Sequence, residues 1–179
     1  MDYLTEYMSP FGKILLATDG SNLVGLWFDE QKYRAAELNP EYVCSDDLPI
    51  FMRTKAWLND YFKGLQPNAE EIPVVFRGSA FRQEVWQILK TIPYGEVISY
   101  GAIAAIIGTR HGNIKMSAQA VGGAVGHNPV SIIVPCHRVI GANGNLTGYA
   151  GGLERKIKLL KIERAYKTEF FVPKKGTAL

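Results

Sequence analysis

Hydrophobic and polar positions alternate weakly from Tyr3 to Met8, and two apolar runs follow, Lys13 to Thr18 and Leu23 to Phe28. Ser9-Pro10-Phe11-Gly12 and Asp19-Gly20-Ser21-Asn22 separate these segments, and Asp-Gly between apolar runs is a hairpin signal. The pattern predicts a small antiparallel sheet. After a polar stretch containing Pro40, Asp46-Asp47-Leu48-Pro49 marks a helix start. Proline suits the first helical turn, and carboxylates suit the positive end of the dipole. Phe51, Leu58, Tyr61 and Phe62 then share one face, and Gly64 stops the helix. Ile72 to Phe76 reads as extended.

Arg77-Gly78-Ser79 is the expected boundary between an α+β domain, residues 1–77, and a mostly helical one, residues 78–179. Ser79 is placed to cap a helix carrying Phe81, Val85, Ile88, Leu89 and Ile92, which Pro93-Tyr94-Gly95 ends. Ser99 caps a shorter helix with Ile103, Ile106 and Ile107, expected to end at Gly108. A second short helix runs from about Ser117 to Val125. Helix, turn, helix is the pattern of a DNA-binding element and also of plain packing. The second helix has almost no side-chain bulk, with Ala118, Ala120, Gly122, Gly123 and Ala124. Each helical glycine costs roughly 1 kcal/mol against alanine. Such a helix suits either tight packing on a neighbour or close approach of a ligand.

Asn128-Pro129 turns the chain into Ile132-Ile133-Val134-Pro135-Cys136-His137-Arg138-Val139-Ile140, two apolar runs read as buried strand-like segments. Asn143-Gly144 makes a further turn, and Gly151-Gly152 leads into a helix with Leu153, Ile157 and Leu160 on one stripe. Glu163 continues that stripe, and a carboxylate there needs a partner. The tail Phe170-Phe171-Val172-Pro173 carries no legible role.

Composition is that of an ordinary globular chain, 179 residues and 47% hydrophobic. Charge is uneven: residues 1–77 hold 7 Lys/Arg against 12 Asp/Glu, net −5, and residues 78–179 hold 13 against 5, net +8. The basic half points to a polyanion partner. The two cysteines, Cys44 and Cys136, make no disulfide framework, and with His111, His127 and His137 they form no zinc-type spacing. No cofactor or metal is expected. Neither a signal peptide nor a membrane-spanning run is legible, so a cytoplasmic monomer without membrane contact is expected. Cys44 has no histidine nearby and reads as inert. Cys136, His137 and Glu163 are the types a thiol nucleophile needs: a sulfur, an imidazole to take its proton, and a carboxylate to orient the imidazole.

Asn128-Pro129-Val130, Pro135-Cys136-His137-Arg138-Val139 and Gly148-Tyr149-Ala150-Gly151-Gly152-Leu153 closely resemble the active-site block of the methylated-DNA–protein-cysteine methyltransferases, which remove alkyl groups from 6-O-alkylguanine. The resemblance is strong from about Phe81 to Glu163. It implies a ribonuclease-H-like N-terminal domain and a winged helix-turn-helix. It also implies irreversible transfer of a methyl or larger alkyl group from 6-O-alkylguanine, and from 4-O-alkylthymine as a second substrate, in double-stranded DNA to Cys136. The implied catalytic set is Cys136, His137, Glu163 and Asn128, with a water between cysteine and histidine and Asn128 bracing the turn. For substrate and DNA the resemblance implies Tyr100, Gln119, Ala120, Gly122, Gly123, Val125, Arg138, Val139, Tyr149 and Ala150. Among them, Tyr100 would hydrogen-bond the flipped guanine, Tyr149 would wall the pocket, the carbonyls of Cys136 and Val139 would accept from the guanine amine, and the Ala150 N–H would face the alkylated oxygen. Some relatives carry a zinc in the N-terminal domain, for which this chain lacks ligands.

The chain departs from the family pattern twice. Gln119 stands where an arginine commonly intercalates, and the connection Thr109 to Met116 is longer than a tight turn, with Arg110, His111 and Lys115 in reach of phosphates. Two other readings stay open on the residues alone: a non-catalytic helix-turn-helix binder of alkylated DNA, and a cysteine hydrolase.

Overall fold

The structure, a computed structural model, describes residues 1–36, 38 and 40–173; the last positions of the expected second domain, 174–179, lie outside it. Strands β1 (Asp2–Ser9), β2 (Gly12–Thr18) and β3 (Leu23–Phe28) form the antiparallel meander that the alternation predicts. A fourth strand, β4 (Tyr42–Cys44), pairs with β1 in parallel, so the sheet is mixed, in the order β3-β2-β1-β4. All three β4 residues are exposed, so the strand has no buried face to imprint on the hydrophobic pattern.

Helix α1 (Pro49–Phe62) buries Phe51, Leu58 and Tyr61 as expected, and Ile50, Thr54 and Trp57 besides. Its start differs from expectation. Leu48 occupies the N-cap without a side-chain bond, and Asp46 instead accepts from the Thr5 hydroxyl and pairs with Lys55 at 3.2 Å. A cross-link to Thr5 of β1 and an ion pair with Lys55 of α1, rather than the dipole, thus take up that carboxylate. The extended segment after α1 bridges to the sheet, with Leu23 facing Val74.

Ser79 caps α2 (Ala80–Lys90) through the Arg82 N–H, Ser99 caps α3 (Tyr100–Arg110) through the Ala102 N–H, and Ser117 caps α4 (Ala118–Gly126). Helix α3 runs past Gly108, contrary to the expected stop. A Cβ on Gly108 would lie 2.3 Å from the Ile114 carbonyl, so this glycine serves close approach of the returning loop. Ile106, expected on the buried stripe, is exposed. Helix α4 packs on α2 and α3, and the Trp86 indole donates to the Ala124 carbonyl at 2.8 Å.

Strand β5 (Ile98–Ser99) pairs in parallel with β6 (Val139–Ile140), which sets the start of α3 beside the end of the cysteine segment. Helix α5 (Leu153–Ile162) closes the fold. The apolar run Ile132–Val134 is not a strand. It is a turn with Ile132 at φ 69°, followed by a 3-10 turn over Cys136–Arg138. Burial made this run apolar, and burial alone does not distinguish a strand from a packed turn.

One core cluster spans both parts of the chain, joining Phe28, Phe51 and Leu58 to Trp86, Ile103, Val121, Val130 and Val134. Each such side chain contributes about 1.5–3 kcal/mol on full burial. The turn before the cysteine hangs on β3: the Leu26 N–H donates to Pro129 O at 2.8 Å, and the Ser131 N–H donates to Leu26 O at 2.9 Å.

Candidate active site

Cys136 is buried at the start of its 3-10 turn, with Pro135 before it at φ −83°, ψ 64°. Asn128 braces the turn. Its amide donates to Val134 O at 2.8 Å, to Val130 O at 3.3 Å and to the Cys136 sulfur at 3.0 Å, and its Oδ1 accepts from the Val130 N–H at 3.1 Å. One side chain therefore fixes the backbone that leads into the thiol and also touches the sulfur. Burial pushes the thiol pKa up, while the Asn128 bond and the nearby Lys156 ammonium act downward.

His137 is fully buried, and its Nε2 lies 2.7 Å from Glu163 Oε1. Nδ1 has no partner among the described residues. Burial holds the imidazole pKa below its usual value, against the pull of Glu163. The resting pair is thus a neutral thiol and a neutral imidazole. Glu163 is the C-cap of α5, one residue past its last helical position, with αR backbone and a buried side chain that continues the stripe from Leu160. It also takes Arg138 Nε at 2.7 Å, Arg138 Nη2 at 3.0 Å and the Tyr61 hydroxyl at 2.6 Å. Burial alone would raise its pKa, and His137 and Arg138 together hold it far below the usual carboxylate range.

A pocket of about 60 Å³ opens onto Cys136, lined among others by Tyr100, Gly122, Gly123, Val125, Tyr149 and Ala150. These expected substrate positions therefore converge on the sulfur. The Tyr100 hydroxyl reaches the Thr147 and Gly148 carbonyls at 3.3 and 3.2 Å, and burial raises its pKa. Gln119 and Ala120 lie exposed at the outer end of α4, away from the pocket lining. A Cβ on Gly123 or Gly126 would meet nothing within 4 Å, so these glycines are not there to fit a neighbouring helix.

Arg138 is the expected DNA contact that the structure places elsewhere. It is buried, does not line the pocket, and spends its guanidinium on Glu163 and on Ile92 O at 2.6 Å. A fork committed to a buried carboxylate cannot also reach phosphate. Arg110 and His111, in the long connection, lie 3.8 and 2.9 Å from Glu84.

Among the residues that escaped the sequence reading are Lys156, Tyr61 and Tyr33, the last lining the pocket. Lys156, fully buried, donates to Val139 O at 2.6 Å, Thr147 O at 2.9 Å and Gly148 O at 3.1 Å. It ties the cysteine segment to the turn bearing Tyr149, and burial lowers its pKa to about 7. The signal was present: Lys156 stands at i+3 from Leu153 and i−4 from Leu160, on the apolar stripe itself. Tyr61, on α1, hydrogen-bonds a carboxylate 102 positions away, and nothing in its local pattern marks that. Among the described residues no cluster of His, Cys, Asp and Glu is arranged to hold a metal, and no helix is long and apolar enough to cross a membrane.

Comparison with known proteins places this geometry. The family described as "6-O-methylguanine DNA methyltransferase, ribonuclease-like domain" matches residues 3–76, and "6-O-methylguanine DNA methyltransferase, DNA binding domain" matches residues 80–165. The methylated-DNA–protein-cysteine methyltransferase of Haemophilus influenzae is 41% identical over 90% of this chain and 86% of its own length. That of Mycobacterium bovis is 45% identical over 88% of this chain and 89% of its own. The crystal structure of Mycobacterium tuberculosis OGT in complex with DNA superposes with a TM-score of 0.77 at 41% identity, covering 91% of this chain and 93% of that one. With both halves matched and the identity sustained along the chain, it belongs to the family of methylated-DNA–protein-cysteine methyltransferases.

Proposed function

We propose that this protein repairs DNA by taking the alkyl group of 6-O-alkylguanine onto Cys136. The observation that carries the reading is a braced, buried thiol at the floor of a pocket, beside an imidazole locked to a carboxylate. The thiol proton passes through a water to Nδ1 of His137, the ring nitrogen without a partner among the described residues. Glu163 stabilises the imidazolium that forms. Sulfur then attacks the alkyl carbon: the S–C bond forms, the C–O bond breaks, and its electron pair returns to the guanine, which takes up a proton. The product is a thioether that no group in this site can cleave, so each molecule acts once.

The alkyl carbon is hidden inside a duplex, and the base must be turned out at a cost of a few kcal/mol. Helix α4 suits that task. Its open face of small residues, with Gly123 and Gly126 against empty space, allows close approach to a narrow minor groove. Gln119 at its exposed end fills the gap in the stack. The division at residue 77 into a sheet domain and a DNA-binding domain is supported by the two matched stretches, 3–76 and 80–165. Action as a monomer in the cytoplasm, with no cofactor, fits a single-turnover chemistry that draws every group from one chain.

The test is the intact mass of the protein after incubation with a duplex containing methylguanine. The protein gains one methyl on Cys136, and Cys136→Ser gains none. Repeated turnover, or methyl on Cys44, overturns the mechanism.

A further inference from the structure

Tyr33 lies in the turn that follows β3, over a hundred positions before the cysteine, yet it lines the same pocket as Cys136. Its ring lies flat on the His127 imidazole, with centroids 3.7 Å apart and planes 20° from parallel. His127 is held from behind: Nδ1 is 2.7 Å from Gly123 O, and since a carbonyl only accepts, Nδ1 carries the hydrogen.

The turn bearing Tyr33 is pinned beside the pocket on two sides. Gln31 Oε1 accepts from the Ser131 hydroxyl at 3.0 Å, and the Lys32 N–H donates to Ala150 O at 3.2 Å. Around these anchors the backbone is strained. Glu30, Tyr33 and Ala35 have φ of 62°, 60° and 59°, a left-handed conformation that such residues rarely adopt. Strain of this kind persists only where the surroundings impose it, and it clusters at ligand clamps. Tyr33 itself is 50% exposed.

Two rings at 3.7 Å are in van der Waals contact, and no base fits between them. The space left beneath, about 60 Å³, holds a few waters rather than a purine. Bases turned out of a duplex are held by stacking on aromatic faces. We propose that Tyr33 is the outer wall of the base pocket: it leaves His127, stacks on the extruded alkylguanine, and sets the size of alkyl group admitted. The inference rests on the alkyl-transfer reading and assigns the N-terminal part a direct share in substrate binding. The anchors at Gln31 and Lys32 keep the turn in place while the ring moves.

The experiment measures single-turnover transfer to Cys136 against DNA concentration, for methylguanine and benzylguanine duplexes. Tyr33→Ala is expected to raise the half-saturating concentration of the methyl duplex about tenfold, with the limiting rate retained. The benzyl duplex loses less, so the ratio of the two kcat/KM-type constants shifts about fivefold or more toward the larger group. Tyr33→Phe keeps the ring and rescues both. The methyl gained by the parent protein checks the underlying transfer reading first. With that gain in hand, equal constants for Tyr33→Ala and parent, or a Tyr33→Phe variant as impaired as Tyr33→Ala, overturn the stacking role alone.

Discussion

Replacing Lys156 with methionine tests the tie between the two walls of the pocket. Methionine matches the stem and removes the ammonium that holds Val139 O, Thr147 O and Gly148 O. The unfolded chain keeps a lysine proton to about pH 10.4, whereas burial brings the folded value to about 7. Above pH 7 the unfolded state therefore binds more protons than the folded state, and raising the pH favours folding. Integrated from pH 7 to 8.5, this one group adds about 1.5 kcal/mol of stability. The raised thiol pKa of Cys136 opposes it only near and above the usual thiol value, outside most of that window. Urea unfolding of the parent at pH 7.0 and 8.5 should show this gain, and Lys156→Met should show a flat profile. A parent profile that is flat, or a variant with the same slope as the parent, refutes the reasoning. It would mean that the three carbonyls keep the ammonium charged as firmly as water does.

Two further outcomes follow from the site. Glu163→Gln keeps the shape and removes the charge facing His137, so transfer should slow about 10²–10⁴-fold while the duplex Kd holds; an unchanged rate–pH profile would leave Glu163 a structural partner of Arg138 and Tyr61. Gln119→Ala should slow repair in a duplex, where a stack must be held open, and spare reaction with a free alkylated base; equal effects on both substrates would remove Gln119 from the flipping step.

Much of the fold was legible because local signals agreed with tertiary ones. Ser79, Ser99 and Ser117 stand at helix starts and cap them, and the Asp19–Asn22 turn joins two strands as its residues require. The errors have physical causes. Ile132–Val134 is apolar because it is buried, and it is buried as a turn. β4 is exposed on every residue, and no periodicity could announce it. In the site, the Pro-Cys-His-Arg-Val string pointed to the chemistry proposed above, but Arg138 was assigned to DNA from the string alone. Its engagement with Glu163 depends on the chain folding back 25 positions, which no local pattern encodes. Tyr33 and Tyr61 were missed for the same reason: each reaches the site from a distant element of the N-terminal part.

The two bonds between Leu26 and the 129–131 segment bear on how such a chain can be cut and recombined. A fragment beginning at residue 78 would keep Cys136, His137, Glu163 and the whole helix-turn-helix, yet leave Pro129 O and the Ser131 N–H without the backbone partners they have here. Val130, wholly buried against Leu26, would face solvent across the lost sheet edge. The halves are therefore separable as sequence matches but not as exchangeable modules. A swapped N-terminal half must reproduce the outer edge of β3 in register, or the loop that aims the thiol loses its template.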